Sequence, residues 1–250
     1  MLTRDELERY ERQIMIKGLG EEGQEKLKRA NVFIAGAGGL GSPVAMYLVA
    51  AGVGTIRVVD HDRVELSNLN RQVLHWDEDI GKRKADSALE KLRKLNPRVE
   101  LEAVAETITE ANVARLVAGF DLIVDAMDNL PTRYLLNKVA VERNTPFFHG
   151  AVYGFEGRVM TIIPGKTACL ECVYRGRITP KEKFPVIGVT PAVIGCIQST
   201  EVIKYIVGIG ELLTNRLLIY DGLNLKFTEL QVTKDQNCEH CSHLPVKSKQ

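Results

Sequence analysis

Four of the five cysteines stand in two CxxC pairs, Cys169-Leu-Glu-Cys172 and Cys238-Glu-His-Cys241. Four thiolates are the set that a closed, tetrahedral, structural zinc site requires. The gap between the pairs exceeds that of a zinc ribbon, so the fold has to carry a loop and the C-terminal tail to one place. A redox pair or plain surface thiols would use the same spacing for other ends. Zn²⁺ on Cys169, Cys172, Cys238 and Cys241 is the expectation, with His240 and His243 as exposed neighbours. Cys196, outside the pairs, falls on an apolar helical stripe with Val193, Ile203 and Val207 and reads as a small core residue.

A second constellation is spread more widely. Gly36-Ala-Gly-Gly-Leu-Gly41 lies between the β-branched run Asn31 to Gly36 and a helical segment, and Asp60 closes the next such run, Thr55 to Asp60. Bare glycines let a backbone approach phosphates, a helix N-terminus favours their charge, and an acid after the second strand bonds ribose hydroxyls. Gly36, Gly38, Gly39, Gly41 and Asp60 are therefore candidate nucleotide-binding residues. The motif serves NAD and ATP alike. The discriminating residues lie downstream: Arg71 in the run Asp60 to Gln72, Lys84 at the start of the next helix, and Asp128 just past the strand Asp121 to Asp125. Hydride transfer has no evident use for these charges. A phosphoanhydride reaction uses cations to stabilise phosphoryl oxygens and a carboxylate to hold Mg²⁺. Taken singly, Arg71 and Lys84 also read as solvated surface charges and Asp128 as a helix cap.

The elements that must position these groups alternate. Thr3 and Glu6 have capping-box spacing, and Leu7, Tyr10 and Ile14 share one stripe of an opening amphipathic helix, with Arg12 off that stripe. A strand to Gly36, a helix over about 41–51 and a strand at 55–60 form a βαβ unit. A helix over about 81–95 stops at Pro97, and a strand near 99–104, a helix near 110–118 and the strand 121–125 follow. Pro131 suits the first turn of a helix reaching about Asn144, and 146–149 supplies one more short strand. After Gly150 the rhythm changes to an antiparallel strand at 157–163, a loop with the first cysteine pair, a long helix over about 191–207 and a closing hairpin, 217–220 with 226–232. The fold class is α/β, a doubly wound, Rossmann-like, mainly parallel sheet with an antiparallel, zinc-clipped C-terminal part. It is read as one domain over 1–250, with a nucleotide-binding core in 1–150 and the antiparallel, cysteine-bearing part in 151–250.

Composition sets the outer bounds. The chain has 250 residues, and 33 Lys and Arg against 32 Asp and Glu leave a net charge of +1. That balance gives no chain-wide electrostatic case for nucleic acid or an acidic membrane. No apolar run approaches the ~18 residues of a membrane span, and the charged first thirty residues lack a signal-peptide core. With cysteines suited to a reducing compartment, the reading is cytoplasmic.

Taken together, Arg9 to Gln13 (RYERQ), GAGGLGS, Asp60 to Gln72 (DHDRVELSNLNRQ), Gly81 to Lys84 (GKRK), Asp125 to Asn129 (DAMDN) and the two CxxC pairs in order resemble the ThiF/MoeB/HesA group of E1-like adenylating enzymes. The resemblance spans nearly the whole chain. It implies that Gly39, Asp60, Ser67, Asn68, Leu69, Asn70, Arg71, Lys84, Asp128 and Asn129 line ATP, and that Arg12 comes from the other subunit of a homodimer. It also implies a partner, a ubiquitin-like β-grasp sulfur-carrier protein whose C-terminal Gly-Gly carboxylate is adenylated with release of pyrophosphate.

One departure stands out. Members that carry sulfur or form a thioester usually have a cysteine in the loop after the first CxxC, whereas Arg175 to Thr190 (RGRITPKEKFPVIGVT) has none. Its basic residues Arg175, Arg177, Lys181 and Lys183 suit an acidic partner or plain solvent. Three other readings stay open: adenylation of a small carboxylic acid, an NAD-dependent oxidoreductase, and a zinc-stabilised scaffold that binds without turnover.

Overall fold

The computed structural model describes residues 1–175 and 184–244. The basic positions Arg177, Lys181 and Lys183 lie outside them. Eight strands form one sheet in the order β3-β2-β1-β4-β5-β6-β7-β8. Strands β1 (Asn31–Ala35), β2 (Thr55–Val59), β3 (Glu100–Val104), β4 (Leu122–Asp125) and β5 (Phe147–Tyr153) run parallel, and β6 (Glu156–Ile162), β7 (Arg216–Asp221) and β8 (Lys226–Gln231) continue antiparallel. The expected α/β class and mixed sheet are what the chain adopts. The division placed at residue 150 falls inside β5, which pairs parallel with β4 on one side and antiparallel with β6 on the other.

The central strands are apolar on both faces because helices cover both. In β1, Val32 and Ile34 point into a core with Val44 and Leu48 of α4 (Gly41–Ala50), Leu92 of α5 (Lys84–Leu95) and Val202 of α9 (Val189–Val207). Phe33 and Ala35 point the other way, to Leu116 of α6 (Val113–Leu116), Leu136 and Ala140 of α7 (Leu130–Arg143), and Leu170 of α8 (Leu170–Tyr174). Each such fully buried large side chain contributes roughly 1.5–3 kcal/mol. The near-continuous apolarity of α4 follows from its place between the sheet and α9, which leaves no wide solvent face.

Several boundaries differ from the sequence expectation for local reasons. The opening helix breaks at Tyr10 into α1 (Arg4–Arg9) and α2 (Glu11–Ile14), while the Thr3–Glu6 capping box forms as expected. Tyr10 is buried, its hydroxyl accepting from Asn96 Nδ2 at 2.8 Å, so tertiary contact overrides the helical period there. Helix α3 (Gly20–Arg29) had no stripe to reveal it, since its buried residues are Gly23, Gln24 and Leu27. The segment before α5 is a turn, with Val64 N–H donating to Lys82 O at 2.9 Å. Helix α9 is fastened to the sheet by buried Glu201, whose Oε2 accepts from Thr161 Oγ1 at 2.6 Å and Leu213 N–H at 2.7 Å.

Candidate nucleotide cleft and cysteine cluster

The carboxyl ends of β1, β2 and β4 open onto one cleft of about 490 Å³. It lies where the strand order reverses, since the chain runs outward from β1 through β2 to β3 and then crosses to β4 on the other side of β1, the place where doubly wound sheets bind ligands. Gly36, Gly38, Gly39, Asp60, Ser67, Asn68, Arg71, Asp128 and Asn129 line it.

The four glycines of the turn have different reasons to be glycine. Gly36 has φ +103°, and a Cβ there would meet Ala126 O at 2.7 Å. A Cβ on Gly41 would stand 1.9 Å from Gly36 O, so Gly41 permits the contact between turn and helix and is not itself in the cleft wall. A Cβ on Gly39 would press on Pro191 at 3.2 Å. At Gly38 the nearest atom would be Gln72 Nε2 at 3.5 Å, an ordinary contact. The protein's own packing does not demand a bare backbone at Gly38, and its opening to the cleft suits close approach by phosphates.

Asp60 fastens this turn to the end of β2. Its Oδ2 accepts from Ala37 N–H at 2.8 Å and its Oδ1 from Asp62 N–H at 2.8 Å. Behind the turn, buried His75 bonds Ala37 O through Nε2 at 2.8 Å and Ser87 Oγ through Nδ1 at 2.8 Å, and burial lowers its pKa. Arg71 donates to Ser67 O at 2.8 Å and to Asn70 Oδ1 at 3.0 Å, which curls the segment 67–71 around the guanidinium. Asn68 is buried and its Oδ1 accepts from Glu65 N–H at 3.1 Å. Asn129 caps α7 by accepting from Thr132 N–H at 3.0 Å, with Pro131 in the first turn. Gln72 Oε1 is buried beside the cleft without a hydrogen-bond partner among the described residues.

Besides Gly41, four expected residues stand outside the cleft wall. Lys84 is buried, and its ammonium donates to Asp62 Oδ2 at 2.8 Å, so one lining carboxylate separates it from the cleft. Leu69 and Asn70 complete the turn that carries Arg71 without lining the cavity. Arg12 is exposed on α2 and also does not line it. Sequence reasoning missed Asp62, Glu65, Gln72, Glu106 and Arg133 among the lining residues. Arg133 had no apolar period or motif to mark it. It donates to Met127 O and, at 3.0 Å, to Gly150 O, and so holds the loop that carries Asp128.

The four paired cysteines are buried together, every Sγ within 4.8 Å of the others. Contacts of 3.9, 3.6 and 3.5 Å link Cys169 to Cys172, Cys169 to Cys238 and Cys172 to Cys241. A tetrahedron with Zn–S bonds of about 2.3 Å has edges of about 3.8 Å, so the cluster fits zinc in both donor type and size. A bond from the Cys169 thiol draws the Cys172 pKa down to about 4, helped by Asp235 N–H, whereas burial pushes Cys241 up to about 12. His240 differs from the exposed neighbour expected: it is half-buried, with Nδ1 2.8 Å from Asn137 Nδ2. His243 is exposed, as expected. Cys196 is half-buried, and burial raises its pKa.

Fold and cleft define a doubly wound α/β protein with a ligand cleft at its switch point. Its relatives make that class specific. The ThiF family profile matches residues 10–240. The chain is 44% identical to the sulfur carrier protein adenylyltransferase of Thermus thermophilus, over 98% of this chain and 94% of that protein. It is 43% identical to the SAMP-activating enzyme E1 of Haloferax volcanii, over 99% of this chain and 93% of that one. The adenylyltransferase and sulfurtransferase MOCS3 of Drosophila sechellia is 38% identical over 98% of this chain, which spans 55% of that longer protein. Among solved structures, E. coli MccB with MccA-N7isoASN superposes with TM-score 0.85 at 25% identity, over 95% of this chain and 75% of that one. The chain belongs to the ThiF family and is an E1-like adenylyltransferase of the ThiF/MoeB type.

Proposed function

We propose that the enzyme joins the C-terminal Gly-Gly carboxylate of a ubiquitin-like β-grasp sulfur carrier to the α-phosphorus of ATP. A carboxylate oxygen forms the new bond to phosphorus, the bond between that phosphorus and the β-bridging oxygen breaks, and pyrophosphate leaves with its electron pair. The observation that carries this reading is the gathering of the glycine turn, Asp60, Arg71 and Asp128 around one cleft in a chain 44% identical to a sulfur carrier protein adenylyltransferase.

Each residue has a physical part. Gly38 and Gly39 offer bare backbone to the phosphates, and Asp60 is placed for the ribose while it anchors the turn. Asp128 is the carboxylate for Mg²⁺, which supplies charge neutralisation at the phosphoryl oxygens. Arg71 sits on the same wall and stabilises charge that develops as pyrophosphate departs. Lys84, paired with Asp62, joins it by exchanging that carboxylate for phosphate. Arg12, exposed and away from its own cleft, acts on the cleft of a second copy in a homodimer, and Zn²⁺ on the four cysteines is structural. The chain operates in the cytoplasm; among the described residues no helix is long and apolar enough to cross a membrane.

The test is pyrophosphate exchange into ATP with a β-grasp carrier ending in Gly-Gly. Asp128→Ala and Arg71→Ala should each lower exchange about a hundredfold or more, the loss expected for a strong transition-state contact. Mixing inactive Arg12→Ala with inactive Asp128→Ala should restore one intact cleft per mixed dimer. Exchange unchanged in both single-cleft variants refutes the residue roles, and no recovery after verified subunit exchange refutes the shared site. Exchange with a small carboxylic acid, and none with the carrier, moves the reading to that substrate class.

A further inference from the structure

Behind the cleft, outside its wall, lies a chain of polar groups, two fully buried and one half-buried, that the proposed reaction does not use. Asp125 ends β4 and His149 stands opposite it in β5; both are fully buried. His149 Nδ1 is 2.7 Å from Asp125 Oδ2, and His149 Nε2 is 3.1 Å from the Tyr174 hydroxyl. The two rings meet edge to face, with centroids 5.6 Å apart. One proton assignment satisfies all three groups: Tyr174 O–H donates to Nε2, and Nδ1–H donates to the Asp125 carboxylate. That assignment needs a neutral imidazole, and burial, which lowers the His149 pKa, favours one.

The two ends of this chain lead to different places. Asp125 Oδ1 accepts from Met127 N–H at 3.1 Å, and Arg133 Nε lies 3.6 Å from Asp125 Oδ2 while donating to Met127 O. Met127 is the residue before Asp128. Tyr174 is the last residue of α8, the helix that carries Cys172 and begins beside Cys169. A buried carboxylate held by one imidazole and one guanidinium is costly to leave half-satisfied, so the position of the Asp128 loop depends on both.

We propose that His149 is a positioning residue that ties the Asp128 loop to helix α8, making the cysteine cluster and the magnesium-binding end of the cleft one hydrogen-bonded unit. This rests on the reading of Asp128 as the Mg²⁺ carboxylate. Loss of the imidazole frees Asp125 to draw Arg133 and Met127 toward itself, which shifts the loop. Loss of the Tyr174 hydroxyl leaves Nε2 unsatisfied and weakens the same hold from the other end.

The test uses the full chain and calorimetric titration with ATP, with and without Mg²⁺, so that no carboxylate substrate is needed. The readout is the factor by which Mg²⁺ tightens ATP binding, alongside zinc content and melting temperature. His149→Leu should cut that factor about tenfold, the loss expected for a hydrogen bond to a buried charge. His149→Asn, whose amide N–H replaces Nδ1–H toward Asp125, should recover most of it, and Tyr174→Phe should fall between them with zinc retained. A fall in melting temperature with an unchanged Mg²⁺ factor in His149→Leu overturns the proposal. If His149→Leu does not fold, an unchanged factor in Tyr174→Phe overturns it. Asp128→Ala separates the two readings: a normal Mg²⁺ factor there refutes the role of Asp128, whereas its loss there, with no change in the His149 and Tyr174 variants, refutes this inference alone.

Discussion

Replacing Gly41 with alanine would place a methyl carbon 1.9 Å from Gly36 O and 2.7 Å from Gly36 C. Both are backbone atoms, so no rotamer change relieves the clash, and Gly36 is itself fixed at φ +103° by the turn. Helix α4 has to move off the turn, at the roughly 1–3 kcal/mol that overpacking costs. For a domain of this size, each kcal/mol is about 2–4 °C of melting temperature, so Gly41→Ala should melt about 2–12 °C lower. Gly38→Ala is the contrast. Among the described residues its methyl would meet only Gln72, at 3.5 Å, and alanine restricts the unfolded chain, so stability should change by less than about 1 kcal/mol. The same methyl would project into the space offered to phosphates, and ATP binding should weaken by about tenfold or more, as one lost charge-assisted contact predicts. Thermal melts and ATP titrations on the two variants give a crossed result, with Gly41→Ala unstable and Gly38→Ala stable but weak in binding. A stable Gly41→Ala, or a Gly38→Ala that binds ATP normally, would refute the assignment of packing to one glycine and ligand access to the other.

The cysteine cluster should contain one zinc per chain by elemental analysis, and Cys172→Ser should lose the metal together with melting temperature; a zinc-free protein of normal stability refutes the site. No acyl-cysteine should form during turnover, because the four paired cysteines are buried and Cys196 is half-buried with its thiol held neutral. Mass spectrometry of the enzyme after reaction checks this, and a thiol-sensitive adduct on Cys196 that vanishes with product formation in Cys196→Ser would overturn it. Burial works to raise the Glu6 pKa, but bonds from Lys28 and from the Thr3 backbone and hydroxyl outweigh it and bring the value from 4.5 to about 2. A carboxyl depressed in the folded state contributes stability above pH 4.5, and that contribution disappears as the pH falls through about 2. With Lys28 39% exposed, solvent screening reduces its worth to about 1 kcal/mol. Glu6→Gln should lose that amount at pH 7 and much less at pH 2, in denaturant titrations at both; equal losses at the two pH values refute the ion-pair account.

What could be read from the sequence was whatever had a short period or a compact motif. The β1-α4-β2 unit announces itself because β-branched runs flank a glycine turn, and the cysteine cluster because both CxxC pairs are local. Capping at Thr3 and Glu6 is equally local, with donor and acceptor three residues apart. Helix α3 escaped because its buried face is Gly23, Gln24 and Leu27, with Gln24 burying its amide on Ala51 O at 3.0 Å rather than in an apolar stripe. The sequence pattern ends strand β5 at His149 because Gly150 resembles a terminator, whereas the strand runs to Tyr153. Its glycine serves instead to admit Gln198, which a Cβ would meet at 2.4 Å. Asp62 and Gln72 reach the cleft through turns whose geometry has no sequence period, Arg133 reaches it from the start of α7, and the motif DAMDN contains Asp125 without revealing that His149, far along the chain, is its partner.

The cysteine cluster gathers positions 69 residues apart in sequence, so a zinc ion bound there would also close a ring in the chain. In chain-entropy terms, a cross-link around a ring of that size removes about 4 kcal/mol of freedom from the unfolded state. Helix α9 rides inside the ring, and its Gly195 backs the nucleotide turn so closely that a Cβ there would stand 2.9 Å from Leu40 O and 2.5 Å from Pro43 of α4. Ring entropy grows only with the logarithm of ring size, so each doubling of length adds about 0.6 kcal/mol. Insertions between the two cysteine pairs are therefore cheap, whereas the loss of any one cysteine opens the whole ring and frees the helix behind the phosphate turn.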